Sequence, residues 1–192
     1  MYPDLRGALR AALDPSPAPT AAADDRLAAV LAPLAEAPEP SLVFTLRSGD
    51  LSRHAGEISF PGGLQEPGES LAETALREAH EEIGLDPSLP DLLGALPPVH
   101  TTVSGILVVP FVGLLSEIPA LTPSDGEIEE VLVFPVARLG SVEAEVELGL
   151  EGGRSWRGWV YELDERTVWG ATGRMLHELL EVVRKEAPWL LA

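Results

Sequence analysis

The chain contains no cysteine. Disulfides, thiolate metal sites and cysteine nucleophiles are therefore excluded. Basic residues are scarce: 13 Lys and Arg stand against 31 Asp and Glu, for a formal net charge of -18. Binding to a nucleic-acid backbone or an anionic lipid surface needs clustered Lys and Arg, so neither partner is expected. An anionic small molecule would be repelled at long range and would need metal ions and local arginines to hold it. Long apolar runs are also missing. The longest, residues 106–110 continued by 111–115, contains Pro110 and Gly113 and falls short of a membrane span. Residues 1–15 lack the uninterrupted apolar core of a secretion signal, and a cytoplasmic location is expected.

With 192 residues and 45% apolar content, the chain suits one soluble domain with a sizeable core. Residues 1–40 are Ala-rich and read as helical, with breaks at Pro15, Pro17 and Pro19 and a helix capped by Asp24 or Asp25 running to about Ala35. Short apolar runs at 42–46 and 58–60 read as strands, and Pro61-Gly62-Gly63 as a turn. The next helix spans 69–83, with Leu71, Ala75, Leu76 and Ala79 inward, a Ser70–Glu73 capping box and Gly84 as its C-cap. Further strands are expected over 106–115, kinked or partly at an edge because of Pro110, and over 131–134 and 166–169. A hairpin is expected around Glu151-Gly152-Gly153, and a last helix from Gly170 to about Lys185. Strands and helices mix without strict alternation, which predicts a mixed sheet with helices on both faces.

One segment carries chemistry. Gly63 is followed by Glu69, then Arg77-Glu78, Glu81-Glu82 and Gly84-Leu85. Glu78, Glu81 and Glu82 stand at i, i+3 and i+4 and share one helix face. Like charges so close destabilise a helix unless a cation relieves them. Hard oxygen-ligated cations such as Mg²⁺ usually work on phosphates. The alternative, a plainly solvated acidic face, does not require the flanking glycines and arginine.

The spacing G-x5-E-x7-RE-x2-EE-x-G resembles the Nudix box, with Ala79 as the single departure, at an aliphatic position. The resemblance implies an α/β (α+β) fold, the Nudix-type α/β/α sandwich with a mixed β-sheet. Residues 1–40 would form a helical extension packed on the domain, and 41–192 the Nudix hydrolase domain. It also implies cleavage of a nucleoside diphosphate linked to another moiety, with Mg²⁺ or Mn²⁺ as cofactor. Glu78 and Glu82 would be the principal metal ligands, with Glu81 contributing. Gly63 would let its backbone approach the metal, Arg77 would hold the carboxylates, and Glu69 would support the start of the helix.

Upstream, Val43-Phe44-Thr45-Leu46-Arg47-Ser48, His54-Ala55-Gly56 and Phe60-Pro61-Gly62-Gly63 resemble the segment that precedes the box in coenzyme A diphosphatases. Ser52 stands where that pattern has Arg, with Arg53 one place later. Val168-Trp169-Gly170-Ala171-Thr172 is similar to the same subfamily. The implied substrate is coenzyme A or a derivative, split by water into 3′,5′-ADP and 4′-phosphopantetheine. Arg47, Arg53, His54 and Phe60 are the candidate substrate contacts; the guanidinium fork suits phosphate oxygens. The resemblance further implies an extra base or metal ligand from the acidic loop 122–130, with Glu127 first and Glu130 second. His100 is a candidate pocket residue, whereas His80 is expected at the surface and His177 in a structural role. Trp156, Trp159 and Trp169 would either stack on adenine or pack the core. Two alternatives stay open: a Nudix pyrophosphatase for ADP-ribose, dinucleotides or damaged nucleotides, and a binding module without catalysis. A homodimer is compatible with the family.

Overall fold

The computed structural model describes residues 4–22, 25–49, 56–101, 105–149 and 155–192. Helix α1 (Leu5–Ala12) precedes strands β1 (Arg26–Ala37), β2 (Ser41–Arg47), β3 (Ile58–Ser59) and β4 (Gly62–Leu64). Helix α2 (Leu71–Ile83) follows, then β5 (Asp91–Ala95), β6 (Val99–Thr101), β7 (Ile106–Glu117) and β8 (Ile128–Pro135). Helix α3 (Val136–Val142), strands β9 (Glu143–Gly149), β10 (Ser155–Leu163) and β11 (Arg166–Val168), and helix α4 (Gly170–Glu186) complete the chain up to a 3-10 turn at Pro188–Leu191.

The main sheet is mixed. β1 and β7 run parallel at its centre, from Arg26↔Ile106 to Ala37↔Glu117, and the other pairings are antiparallel. Side chains alternate across it. Ala28, Val30, Ala32 and Leu34 face a core shared with α1 and α4, while Ala29, Leu31 and Ala35 face the one closed by α2. Helices therefore cover both faces, as expected.

Residues 26–37 correct the helical expectation for the N-terminal forty residues. Ala-rich sequence favours a helix only weakly, and burial on both faces of a parallel pair overrides it. Pro33 is also incompatible with a helix interior. Among the described residues of this region only Leu5–Ala12 is helical, capped by the Asp4 carboxylate on Gly7 N–H. Pro110 likewise lies at the centre rather than at an edge. Its carbonyl accepts from Leu96 N–H in the gap between β5 and β6, where no ladder bond from its missing N–H is required. Pro61-Gly62-Gly63, expected as a turn, runs into β4, which pairs with β1 as Val30↔Gly62 and Ala29↔Gly63.

A separate three-stranded sheet, β11–β10–β9, docks on α4. Glu143 fastens it: its carboxylate accepts from Tyr161 Oη at 2.6 Å, contacts His177 Nδ1 at 3.1 Å and pairs with Arg184. Burial alone would raise the Glu143 pKa, but these three partners hold it below its usual value. The Trp159 ring stacks on His177 with centroids 3.7 Å apart, so Trp159 packs rather than waits for a base. Among the described residues no helix is long and apolar enough to cross a membrane.

Candidate active site

Helix α2 forms where the sequence places it. Ser70 Oγ accepts from Glu73 N–H, and the Glu73 carboxylate accepts from Ser70 N–H at 2.7 Å, closing the capping box. Gly84 ends the helix in the left-handed region at φ 68°. Leu71, Ala75, Ala79 and Ile83 bury the inner face, and the charged residues of the motif emerge beside it.

Arg77 organises them. Its Nε and Nη2 grip both oxygens of Glu69 at 3.1 and 2.9 Å, and its Nη1 donates to Glu78 at 2.9 Å and Glu81 at 3.0 Å. Nη2 also donates to the Leu64 carbonyl, which ties the helix to the end of β4. The Arg77 bonds, with a backbone bond from Glu66, depress the Glu69 pKa to about 2. A folded pKa below the ordinary value adds stability above that value and loses it as pH falls towards 2. A lysine here keeps the charge but not the fork. Arg77→Lys is therefore expected to cost about 2 kcal/mol of stability and to lower kcat at least about tenfold. Thermal denaturation and initial rates check both; wild-type values in both would show that the fork is dispensable.

Glu82 is only 3% exposed. Its Oε2 accepts from Gly62 N–H at 3.2 Å and its Oε1 lies 3.4 Å from Arg47 Nη1. Burial raises its pKa to about 7, with Glu127 and Glu78 adding repulsion and the Gly62 and Arg47 contacts opposing the rise. Glu78 is raised as well, chiefly by burial, against the pull of Arg77. Two carboxylates disfavoured as ions, side by side on one helix face, call for positive charge.

Glu127 completes the group from the loop before β8. Its Oε1 lies 3.1 Å from Arg47 Nη2, and its carbonyl accepts from Ser48 N–H. The same loop is pinned to the end of α2 through Thr122 N–H to Ile83 O and Ser124 N–H to Glu82 O. Gly63 lies directly against Glu78: a Cβ there would meet the Glu78 carboxylate at 2.4 Å.

Sequence reasoning thus named residues that the fold assembles from three elements: Arg47 from β2, Glu69, Arg77, Glu78, Glu81 and Glu82 around α2, and Glu127 from the loop. It missed the Gly62 N–H as a partner of Glu82, because nothing in the spacing reports a backbone donor. Phe60 is corrected: its ring is 1% exposed and stacks on Phe44 at 4.6 Å, so it belongs to the core and not to the substrate. Arg53, His54 and Trp156's side chain lie outside the described residues. Glu130 pairs with Arg166 and His100 with Asp25, neither with the carboxylate group. His80 is exposed, with Nδ1 3.2 Å from Leu85 O.

The donors fit a divalent cation in kind. They are carboxylate oxygens with raised pKa, beside a glycine whose missing side chain leaves the Glu78 carboxylate its room. Among the described residues, however, no three acidic or histidine side chains are already drawn around one point as a finished cage. Two arginines hold the carboxylates instead.

Known proteins resemble this chain over most of its length. The NUDIX domain family model matches residues 25–171. A curated relative from Pectobacterium atrosepticum, described as the uncharacterized Nudix hydrolase NudL, is 37% identical over 80% of this chain and 81% of its own length. NudL of Escherichia coli O7:K1 is 36% identical over the same shares. Among solved structures, the NUDIX domain of Shewanella oneidensis NrtR, crystallised with ADP ribose, superposes with a TM-score of 0.50 at 19% identity, covering 66% of this chain and 82% of that one. A MutT/nudix protein from Enterococcus faecalis gives 0.51 at 18% identity, over 87% of this chain and 62% of its own. At such identities the structures speak for the fold alone.

Proposed function

The chain belongs to the Nudix family and is a Nudix hydrolase acting on a phosphoanhydride, and we propose that the anhydride it cleaves is the diphosphate of coenzyme A or a derivative. The observation that carries this reading is the segment leading into the box: Val43–Ser48, then Phe60-Pro61-Gly62-Gly63. The geometry supports it, because that segment delivers Arg47 to the carboxylates at the end of β2. The products would be 3′,5′-ADP and 4′-phosphopantetheine, and the setting the cytosol.

Nudix hydrolases use divalent metal ions. In this chain Glu78 and Glu82 would hold the ion, with Glu81 contributing and Mg²⁺ or Mn²⁺ as the occupant. When bound, such an ion neutralises diphosphate charge and favours ionisation of the attacking water. The side chains do the remainder. Arg77 keeps Glu78 and Glu81 in register on α2. Gly63 leaves the Glu78 carboxylate room. Glu127 would add a ligand to the ion or, as a base, accept the water's proton. Arg47, with Arg53, takes phosphate oxygens in its fork.

The second reading is a pyrophosphatase for ADP-ribose, the ligand crystallised with the Shewanella NUDIX domain of similar fold. A hydrolysis panel decides between them, with coenzyme A, ADP-ribose, a dinucleotide and nucleoside triphosphates in Mg²⁺ and in Mn²⁺, and products separated by chromatography. Coenzyme A is expected to give the highest kcat/KM. ADP-ribose or a triphosphate as the best substrate would overturn the subfamily reading and leave the box intact. No turnover in either metal would favour a binding module.

A further inference from the structure

The two arginines of the site are engaged in different ways. Arg77 uses its fork on one carboxylate, Glu69, and donates to two more at 2.9 and 3.0 Å. Arg47 instead splits its two Nη atoms between two carboxylates on different elements, at 3.4 Å to Glu82 and 3.1 Å to Glu127. The contact to Glu82 is longer than any bond that Arg77 makes to a carboxylate and than the roughly 2.7–2.9 Å of a charge-assisted bond. Among the described residues its buried Nε has no hydrogen-bond partner, so this pose leaves that donor unused. Glu82, by contrast, is a buried carboxylate that needs a positive neighbour whenever it is ionised.

We propose that Arg47 is an internal counter-cation, holding Glu82 and Glu127 together while no metal is bound, and that a divalent cation displaces it and frees its guanidinium for substrate phosphate. The inference rests on the reading of Glu82 as a metal ligand and says what that ligand does before the metal arrives. A doubly charged ion outcompetes a guanidinium for two carboxylates. The guanidinium it releases is then an unpaired positive fork at the mouth of the site, suited to a diphosphate. Glu127 can change partners without moving its backbone, because its carbonyl stays bonded to Ser48 N–H. Metal and Arg47 thus compete in the free protein and act together once substrate is present, which makes metal binding precede productive substrate binding.

The test is Mn²⁺ affinity without substrate, read by electron paramagnetic resonance, for the wild type and Arg47→Gln. If Arg47 competes with the metal, the variant binds Mn²⁺ about fivefold or more tightly, and in saturating metal its KM rises at least about tenfold. If Arg47 merely orients the carboxylates, the variant binds Mn²⁺ more weakly, and the proposal falls. Equal affinities overturn it too. Failure of both proteins to bind Mn²⁺ overturns the metal-site reading itself, a separate result. The wild-type protein gives a check that requires no folded variant: on saturation with Mg²⁺, the Nε–H resonance of Arg47 should shift. An unmoved Arg47 resonance overturns the displacement.

Discussion

Replacing Glu82 by glutamine is expected to lower kcat at least about 100-fold, or roughly 2.7 kcal/mol of barrier, while making the metal-free protein more stable at pH 8. The two effects have one cause. The Glu82 pKa is raised to about 7 by burial. A carboxyl whose folded pKa lies above its ordinary value binds its proton more tightly in the folded state. Its contribution is therefore favourable below the unfolded value and lost as pH rises through about 7. Above that pH the folded protein carries a buried anion that glutamine, neutral and of the same shape, does not. Metal-free Glu82→Gln should exceed the wild type by about 1–3 kcal/mol at pH 8, and the curves should converge below pH 5. Urea denaturation at the two pH values reads the difference. Added Mg²⁺ should stabilise the wild type and leave the variant nearly unchanged. A loss of kcat below about tenfold, or parallel pH profiles, would remove Glu82 from the metal site.

The second large effect separates neighbouring glycines. A Cβ at Gly62 would meet Ala29 O at 2.4 Å and Val30 Cα at 2.6 Å. Both are backbone of the central strand, packed on two faces, with nowhere to move. Gly62→Ala should therefore cost about 3 kcal/mol or more, lowering Tm by roughly 10 °C in a domain of this size. At Gly63 the obstacle is the Glu78 carboxylate, the mobile end of a side chain. Gly63→Ala should leave Tm within about 3 °C and lower kcat/KM at least about thirtyfold, because Glu78 is pushed aside. Comparable Tm losses in the two variants would mean that Gly63 serves the backbone and not the carboxylate.

What the sequence made legible follows from how local each signal is. Helix α2 was readable to within two residues because its start and stop are chemical: a Ser70–Glu73 box and a left-handed Gly84. The carboxylates on its face followed from helical spacing alone. β1 was misread because its determinants lie far away. Alanine and leucine are ambiguous until β7 covers one edge and cores form on both faces, and only Pro33 spoke against a helix. The short β4 was hidden inside Pro61-Gly62-Gly63, whose residues read as a turn but whose small size is what permits close packing on β1. The resemblance makes Phe60 a substrate contact, yet in the link between β3 and β4 its ring turns inward onto Phe44. The strands of the small sheet were legible, as the two arms of the expected hairpin and the strand that follows it, but the Glu143 anchor left no pattern, since a tetrad drawn from three elements has no sequence spacing.

The parallel pairing of Arg26 with Ile106 has a consequence for how the chain is made. During synthesis the ribosome releases β1 about 80 residues before its partner, the difference between 106 and 26. Through that interval a strand apolar on both sides has no parallel neighbour, and non-local pairing of this kind folds slowly and exposes nascent chains to aggregation. Removing residues 1–40, which hold β1, should leave β7 without that parallel neighbour and is expected to cost soluble product.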